Sequence, residues 1–96
     1  MTFARHYRLK AADGKVDDLL TALKDLAKTL ERIEGFKGAE LFADSDKENE
    51  FLFIEQWTSK DDHGESATKI PKAIFQSIMT NVADSPLTST LERLPL

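Results

Sequence analysis

Four side chains of this sequence could take part in binding or acid–base chemistry, namely Arg5, Tyr7, Trp57 and His63. The indole of Trp57 offers an N–H donor and a flat wall for an aromatic ligand. An imidazole has an ordinary pKa of about 6.5, so His63 could serve as a base at neutral pH. Arg5 and Tyr7 share one face of a predicted strand, where the tyrosine could face a pocket and the guanidinium could attract an anionic oxygen.

Each of these side chains also has a purely structural interpretation. Trp57 could be a core tryptophan at the end of a strand, and His63 could be an exposed histidine on a helix. Tyr7 could be an ordinary core residue, with Arg5 as a charge near the strand end. His6 alternates with these two residues and points to the opposite face, where we expect a subunit contact rather than catalysis. The residues alone therefore leave both interpretations open.

The first elements that would position these side chains follow from the spacing of apolar residues. Alternation over residues 3–9 predicts a strand that carries Arg5 and Tyr7. Three- and four-residue spacing over residues 16–33 predicts a long amphipathic helix. Gly35 stands where a left-handed residue would cap that helix.

Two further strands are predicted in the middle of the chain. Residues 36–43 alternate with Phe36 and Phe42 on one face, and residues 51–57 form a more apolar run that ends at Trp57. The polar stretch between the two runs has the length of a hairpin loop, so the strands should be adjacent and antiparallel.

The last third of the chain predicts two helical stretches and a strand. Ser59 is a suitable cap for a short helix that runs into residues 64–67 and carries His63. Pro71 is a suitable first residue for a helix over residues 71–82. Residues 87–94 predict a final strand.

This order of elements is β-α-β-β-α-β, an α+β ferredoxin-like arrangement in which helices cover one face of a four-stranded antiparallel sheet. The uncovered face is predicted to carry Leu41, Leu52 and Ile54 beside His6 and Arg8. That face is too apolar to be left in water. A second sheet would cover it, so we expect a homodimer.

Length, charge and cysteine content exclude several classes of function. The 96 residues predict a single domain over residues 1–96. Cysteine is absent, which excludes disulfides and thiolate chemistry, and the acids within residues 44–50 lack the spacing of a calcium loop. A net charge of −4 with scattered basic residues disfavours nucleic acid, and no apolar run approaches the ~20 residues of a membrane span. We therefore expect a cytoplasmic protein that holds no metal and binds neither nucleic acid nor membrane.

The third predicted strand and the residues after it resemble the antibiotic biosynthesis monooxygenase family. Members of that family often end this strand in Glu-x-Trp before a polar helix cap, and residues 55–59 read Glu-Gln-Trp-Thr-Ser. The Gly-Lys pair at residues 14–15, the Glu-Gly-Phe of residues 34–36 and Pro71 are also similar to the family. The resemblance implies a dimeric α+β barrel of two facing sheets, with a pocket between sheet and helices in each subunit.

Several members of that family oxygenate aromatic substrates without metal or flavin. This chemistry requires a base for a phenolic proton, a donor for the developing negative charge and a pocket that excludes water. We therefore predict no cofactor, a small aromatic or hydrophobic ligand, and a pocket formed by catalytic residues and lining residues. The predicted catalytic residues are Trp57, His63 and Tyr7, and the predicted lining residues are Arg5, Phe53 and Phe75.

Two positions depart from the family pattern. Phe53 stands where an oxygenating member can have a substrate-orienting asparagine, and Ser66 stands where many members have a histidine. The sequence predicts a cofactor-independent monooxygenase acting on a quinol or polycyclic phenol. The alternatives are a non-catalytic small-ligand-binding or stress-response barrel and, third, a regulatory ligand-sensing domain. Haem degradation is disfavoured, because the chain has a single Trp and no histidine after His63.

Overall fold

The computed structural model describes residues 2–96, which form four strands and three helices. The strands are β1 (Phe3–Lys10), β2 (Phe36–Ala43), β3 (Glu50–Trp57) and β4 (Leu87–Glu92). The helices are α1 (Val16–Leu30), α2 (Lys60–Ser66) and α3 (Lys72–Thr80). The order β-α-β-β-α-α-β confirms the predicted α+β ferredoxin-like fold, with the second helical stretch divided into α2 and α3.

The strands form one antiparallel sheet in the order β2-β3-β1-β4. Strands β1 and β3 lie in the centre, so hydrogen bonds to a neighbour on each side hold their backbones in place. Arg5 lies opposite Glu55 and Tyr7 lies opposite Phe53 in the register of these two strands. Side chains at paired positions share a face, so the register brings all four to the side of the sheet that faces the helices.

The core lies between that face of the sheet and the helices. Helix α1 buries an apolar stripe at three- and four-residue spacing, and β1 and β3 bury alternate side chains, as the sequence predicts. The largest contributors from the helices are Leu19, Leu23, Leu26, Leu30 and Ile78. The largest from the strands are Phe3, Leu9, Phe51, Phe53 and Trp57.

The first helix is shorter than its apolar periodicity predicts. Helix α1 ends at Leu30, and Ile33 reaches the core from the turn that follows. In that turn the Ile33 N–H donates to the Leu30 carbonyl at 2.9 Å, and this three-residue hydrogen bond replaces the four-residue pattern of an α-helix. Gly35 has a φ of +87° in the turn before β2, so the prediction that it caps the helix is wrong.

A β-bulge in β2 changes the predicted orientation of its side chains. The register with β3 shifts between Phe36 and Gly38, and one extra residue reverses the alternation beyond that point. Phe36 packs edge-on against Trp57 with ring centroids 5.3 Å apart, whereas Phe42 lies on the opposite face with 47% of its surface exposed. The prediction that Phe36 and Phe42 share a face is therefore wrong. The placement of Leu41 on the uncovered face is wrong for the same reason, because Leu41 packs against the core.

The opposite face of the sheet carries no helix from residues 2–96. Leu52 and Ile54 lie on this face as predicted, and Phe42, Leu87 and Leu91 join them with 44% or more of their surfaces exposed. We call this set the open face. None of the helices within residues 2–96 is long and apolar enough to cross a bilayer.

Candidate functional site

Helix α2 places His63 at the edge of the helix-covered side of the sheet. The predicted cap is present, since the Ser59 hydroxyl accepts a hydrogen bond from the Asp62 N–H at 3.1 Å. The imidazole of His63 lies between two aromatic rings, with centroid distances of 5.5 Å to Phe3 and 5.6 Å to Trp57. Its side chain is 22% exposed, so the ring is held by packing but still reaches the surface.

A buried carboxylate, that of Glu55, lies beside this imidazole. Glu55 was not among the site residues predicted from the sequence. Glu55 is 3% exposed, and its Oε1 accepts a hydrogen bond from Trp57 Nε1 at 3.0 Å. His63 Nε2 lies 3.8 Å from the same oxygen. Burial raises the pKa of Glu55 to about 7, while the indole hydrogen bond and the charge of Arg5 act in the opposite direction.

Burial also acts on His63, in the opposite sense. It lowers the pKa of the imidazole, and the nearby guanidinium of Arg5 lowers it further. Burial thus favours the uncharged form of both the carboxyl and the imidazole. The result is a carboxyl that changes charge close to neutral pH, beside an imidazole whose pKa lies below its ordinary value.

The two-residue spacing of apolar side chains in β3 already indicates that Glu55 is buried. Phe51, Phe53, Glu55 and Trp57 follow one another at two-residue spacing, so an acid stands within the apolar row of a central strand. Acids are almost never fully buried unless they are paired. A glutamate in such a row is therefore a candidate functional residue from sequence alone.

Arg5 and Tyr7 form a second polar group on the same side of the sheet. Arg5 Nη1 donates to Thr90 Oγ1 at 2.7 Å, and the guanidinium carbon lies 5.5 Å from the centroid of the Tyr7 ring. Arg5 Nε is buried and has no hydrogen-bond partner within residues 2–96. Burial raises the pKa of Tyr7 to about 12, with a smaller contribution from the charge of Glu55. Tyr7 is therefore a protonated phenol at neutral pH, which can donate a hydrogen bond.

Two clefts of different polarity adjoin these side chains. The apolar cleft, of about 240 Å³, lies between the sheet, α1 and α3 and is lined by Tyr7, Leu26, Phe53, Phe75, Ile78 and Met79, among others. The polar cleft, of about 600 Å³, lies between α2 and the β1–β4 side of the sheet and is lined by Phe3, Arg5, Lys60, Asp61, His63 and Glu65, among others. Arg5 and Tyr7 are neighbours on one face of β1, so the two clefts adjoin at this pair.

The residues predicted to line one pocket are divided between these clefts. Tyr7, Phe53 and Phe75 line the apolar cleft, whereas Arg5 and His63 line the polar cleft. Trp57 is fully buried and lines neither of them. Its indole N–H is already bonded to Glu55, so Trp57 contacts a ligand only if this part of the core rearranges.

The arrangement can bind the apolar part of a ligand and move a proton at its polar end. Proton acceptors are present at Glu55 and His63, and hydrogen-bond donors are present at Tyr7 and Arg5. Within residues 2–96, no cluster of three or more His, Cys, Asp or Glu side chains is placed to hold a metal ion. These features are those of an acid–base site beside an apolar cleft.

The strands and helices define a ferredoxin-like α+β protein with clefts on the helix-covered side of its sheet. The model of the antibiotic biosynthesis monooxygenase family matches residues 2–68. The chain therefore belongs to the antibiotic biosynthesis monooxygenase family, as its sequence resemblance indicated.

Solved structures of low sequence identity share this fold over nearly the whole chain. SnoaB from Streptomyces nogalater, described as a cofactor-independent oxygenase, is 16% identical, with a TM-score of 0.85 over 99% of this chain and 95% of its own. Rv0793 from Mycobacterium tuberculosis is 14% identical, with a TM-score of 0.87 over 100% and 98%. A conserved protein from Methanosarcina mazei Go1 is 11% identical, with a TM-score of 0.88 over 98% and 94%. A comparison with curated proteins gives no match. At these identities the likeness concerns the fold.

Proposed function

We propose that this chain is a cofactor-independent monooxygenase that acts on a quinol or polycyclic phenol. The observation that carries the proposal is the junction of an apolar cleft with proton-accepting and proton-donating side chains at Arg5, Tyr7 and His63. Membership of the antibiotic biosynthesis monooxygenase family supports it. The description of SnoaB as a cofactor-independent oxygenase agrees with it.

The two clefts suggest how such a substrate is held. The rings lie in the apolar cleft against Tyr7, Phe53 and Phe75, and the hydroxyl points towards Arg5 and the polar cleft. A cleft of about 240 Å³ is small for a ligand site, which favours a compact, flat substrate. His63, kept uncharged by burial, accepts the phenolic proton. Arg5 and the protonated Tyr7 then stabilise the resulting anion.

The chemistry that follows uses dioxygen as its only oxidant. The substrate anion transfers one electron to dioxygen, and the two radicals combine at a ring carbon to form a C–O bond. The resulting peroxide takes back the proton from His63, and loss of water from this hydroperoxide converts the C–H of that ring carbon into a carbonyl. One oxygen atom stays in the product and the other leaves as water, so atoms and electrons balance. The protein supplies the base, the donors and the shielding from solvent.

We also propose that the chain forms a homodimer through its open face. This face presents Phe42, Leu87 and Leu91 with large exposed fractions, next to Leu52 and Ile54. A contiguous apolar surface of this kind marks an interaction site. Light scattering after size-exclusion chromatography is expected to give twice the mass of the 10.8 kDa chain. A monomeric mass at micromolar concentration would count against the homodimer.

Oxygen consumption tests the proposed reaction directly. We expect uptake above the protein-free rate with at least one member of a panel of hydroquinones and anthrones, and a quinone product by mass spectrometry. His63→Ala and Tyr7→Phe should each lower the rate by about 10²-fold, the lower end of the range for loss of an acid–base group. Glu48→Gln, at an exposed position in the β2–β3 loop outside the lining of both clefts, is the control and should leave the rate unchanged.

Two results would contradict the proposal. The first is an absence of protein-dependent uptake with every compound in the panel. The second is uptake that survives the double substitution of Trp57→Phe with His63→Ala.

A non-catalytic small-ligand-binding or stress-response barrel is the second candidate, and one observation favours it. Phe53 occupies the position of the substrate-orienting asparagine and is 2% exposed, so it adds apolar contact rather than hydrogen bonding. This candidate predicts a saturable change in Trp57 fluorescence with aromatic ligands and no oxygen uptake. Turnover of any ligand that binds would refute the non-catalytic candidate and support the monooxygenase.

A further inference from the structure

We infer that Glu55 and His63 work as one coupled pair, in which Glu55 orients the imidazole and balances its charge, and that Trp57 acts on this pair rather than on the ligand. The catalytic meaning of the pair rests on the proposed function. The coupling itself is a property of the folded protein and can be tested without a substrate.

The position of Glu55 is the first step of the argument. A buried carboxylate loses its hydration and needs compensation from hydrogen bonds or opposite charge. Arg5 lies opposite Glu55 in the register of β1 and β3, but no ion pair within 4.0 Å joins them, and Arg5 turns towards Thr90 and Tyr7 instead. Glu55 accepts one side-chain hydrogen bond, from Trp57 Nε1 at 3.0 Å, and the charge of Arg5 adds a weaker compensation. A second donor at this carboxylate would therefore be strongly favoured.

His63 is the side chain placed to supply that donor. Its Nε2 lies 3.8 Å from Glu55 Oε1, which is about 1 Å longer than a charge-assisted hydrogen bond. The rings of Phe3 and Trp57 enclose the imidazole and limit its rotation. With Nε2 directed at Glu55, Nδ1 is the nitrogen left to accept a proton from a ligand in the polar cleft.

The charges around His63 make Glu55 the group that balances a protonated imidazole. Within the described chain, Glu55 is the only carboxylate within 4.0 Å of the ring. The guanidinium of Arg5 on β1 opposes a positive charge on His63, and β4 contributes the uncharged Thr90 to the same cleft. The charged groups of α2 itself that line this cleft are Lys60, Asp61 and Glu65. A proton that reaches Nδ1 therefore creates an imidazolium whose Nε2–H donates to the Glu55 carboxylate.

This arrangement assigns a positioning role to Trp57. The indole hydrogen bond favours the ionised form of Glu55, because it lowers the pKa of this carboxyl against the effect of burial. Removal of the indole N–H should therefore raise the pH at which Glu55 ionises. The effect of a Trp57 substitution should appear as a shift along the pH axis rather than as a loss of ligand affinity.

Nuclear magnetic resonance of the two imidazoles tests the coupling in the intact protein. Ring carbon and nitrogen shifts of His63 and His6 are followed from about pH 5 to about pH 9 in the wild type, Glu55→Gln and Trp57→Phe. We expect two inflections for His63 in the wild type, of which the upper, near pH 7, reports ionisation of Glu55. Glu55→Gln should abolish the upper inflection, because the amide side chain of this variant keeps an acceptor for Trp57 but cannot ionise. Trp57→Phe should move that inflection to higher pH, and the His6 signals should not differ between the three proteins.

A single inflection for His63 in the wild type would overturn the inference, as would a His63 titration that Glu55→Gln leaves unaltered. Should Glu55→Gln fail to fold, as judged by its amide spectrum, an upper inflection that does not move in Trp57→Phe would overturn it equally. The outcomes separate the coupling from the proposed reaction. Coupled titration without oxygen uptake would refute the proposed monooxygenase reaction and support the coupling of Glu55 with His63. Oxygen uptake whose pH profile in Glu55→Gln equals that of the wild type would refute the coupling and support the monooxygenase reaction.

Discussion

The buried carboxyl of Glu55 should make the protein less stable as the pH rises, and Glu55→Gln should remove this dependence. In the folded state burial raises the pKa of Glu55 to about 7 from its ordinary value of 4.5. Between these two values the folded chain holds a proton that the unfolded chain has released. The slope of the unfolding free energy with pH follows the difference in bound protons, so stability falls across this window. Glutamine cannot ionise, so the variant lacks this contribution.

The magnitude follows from the separation of the two pKa values. A separation of about 2.5 pH units, at about 1.4 kcal/mol per unit, gives a penalty of about 3 kcal/mol above pH 7. The penalty vanishes below about pH 4.5. His63 acts in the opposite sense, because its pKa is lowered and its contribution is lost as the pH falls below 6.5. This histidine is present in both proteins, so the difference between wild type and variant reports Glu55 together with its coupling to His63.

Urea unfolding at fixed protein concentration measures this difference. We expect Glu55→Gln to exceed the wild type in unfolding free energy by up to about 3 kcal/mol at pH 8, and to lie within about 1 kcal/mol of it at pH 5. Glu48→Gln, at an exposed position in the β2–β3 loop, is the matched control and should show no such trend. A difference between Glu55→Gln and wild type that stays constant from pH 5 to pH 8 would refute the reasoning.

Three further predictions concern the elements around the site. Gly35→Ala should cost more than about 2 kcal/mol in unfolding free energy, because φ is +87° and the added carbon would lie 2.5 Å from the Asp62 side chain. Gly14→Ala is its control, with φ of +72° and open space around it, and should cost about 1 kcal/mol; equal losses for the two would count against the steric argument. Ser59→Ala should cost about 1 kcal/mol through loss of the α2 cap, measured by thermal unfolding, and no loss would show that the cap does not matter. Tyr7 is the single tyrosine, so absorbance at the tyrosinate band reports it alone; we expect no ionisation of the folded protein at about pH 10.5, and a midpoint near 10 would contradict its buried placement.

Most of the fold could be predicted because its signals are local. Alternation in β1 and β3 and the three- and four-residue spacing in α1 each lie within one element and need no knowledge of its neighbours. The end of α1 and the bulge in β2 depend on what surrounds them. Ile33 continues the apolar period after the helical hydrogen bonds have stopped, and the extra residue before Gly38 has no sequence signal as strong as a proline. These two features were therefore predicted wrongly.

The face of the sheet that carries the predicted site residues could be predicted, but their arrangement could not. The four side chains first singled out do lie on the helix-covered side of the sheet. Their division between two clefts depends on distances across the fold, which spacing in sequence does not contain. Trp57 is fully buried because Phe36 and His63 pack against it, and both come from other elements. Glu55 was considered only as part of the Glu-x-Trp motif and was not predicted as a site residue. Its two-residue spacing from Phe53 already placed it on the buried face.

The bulge in β2 divides this strand into two halves, and the alternation of side chains between the two faces reverses from one half to the other. Phe36, before the bulge, belongs to the end of the core that encloses Trp57, and Phe42, beyond it, belongs to the open face. Pairing without the bulge would shift residues 38–43 by one position, so that Glu40 and Phe42 would replace Leu41 at the core. Deletion of the extra residue, in contrast, would remove the bulge and leave both surfaces as they are. A substitution here alters one side chain, whereas a one-residue slip of the register exchanges two surfaces at once. The bulge therefore decides whether each side chain of residues 38–43 contributes to the core or to the open face.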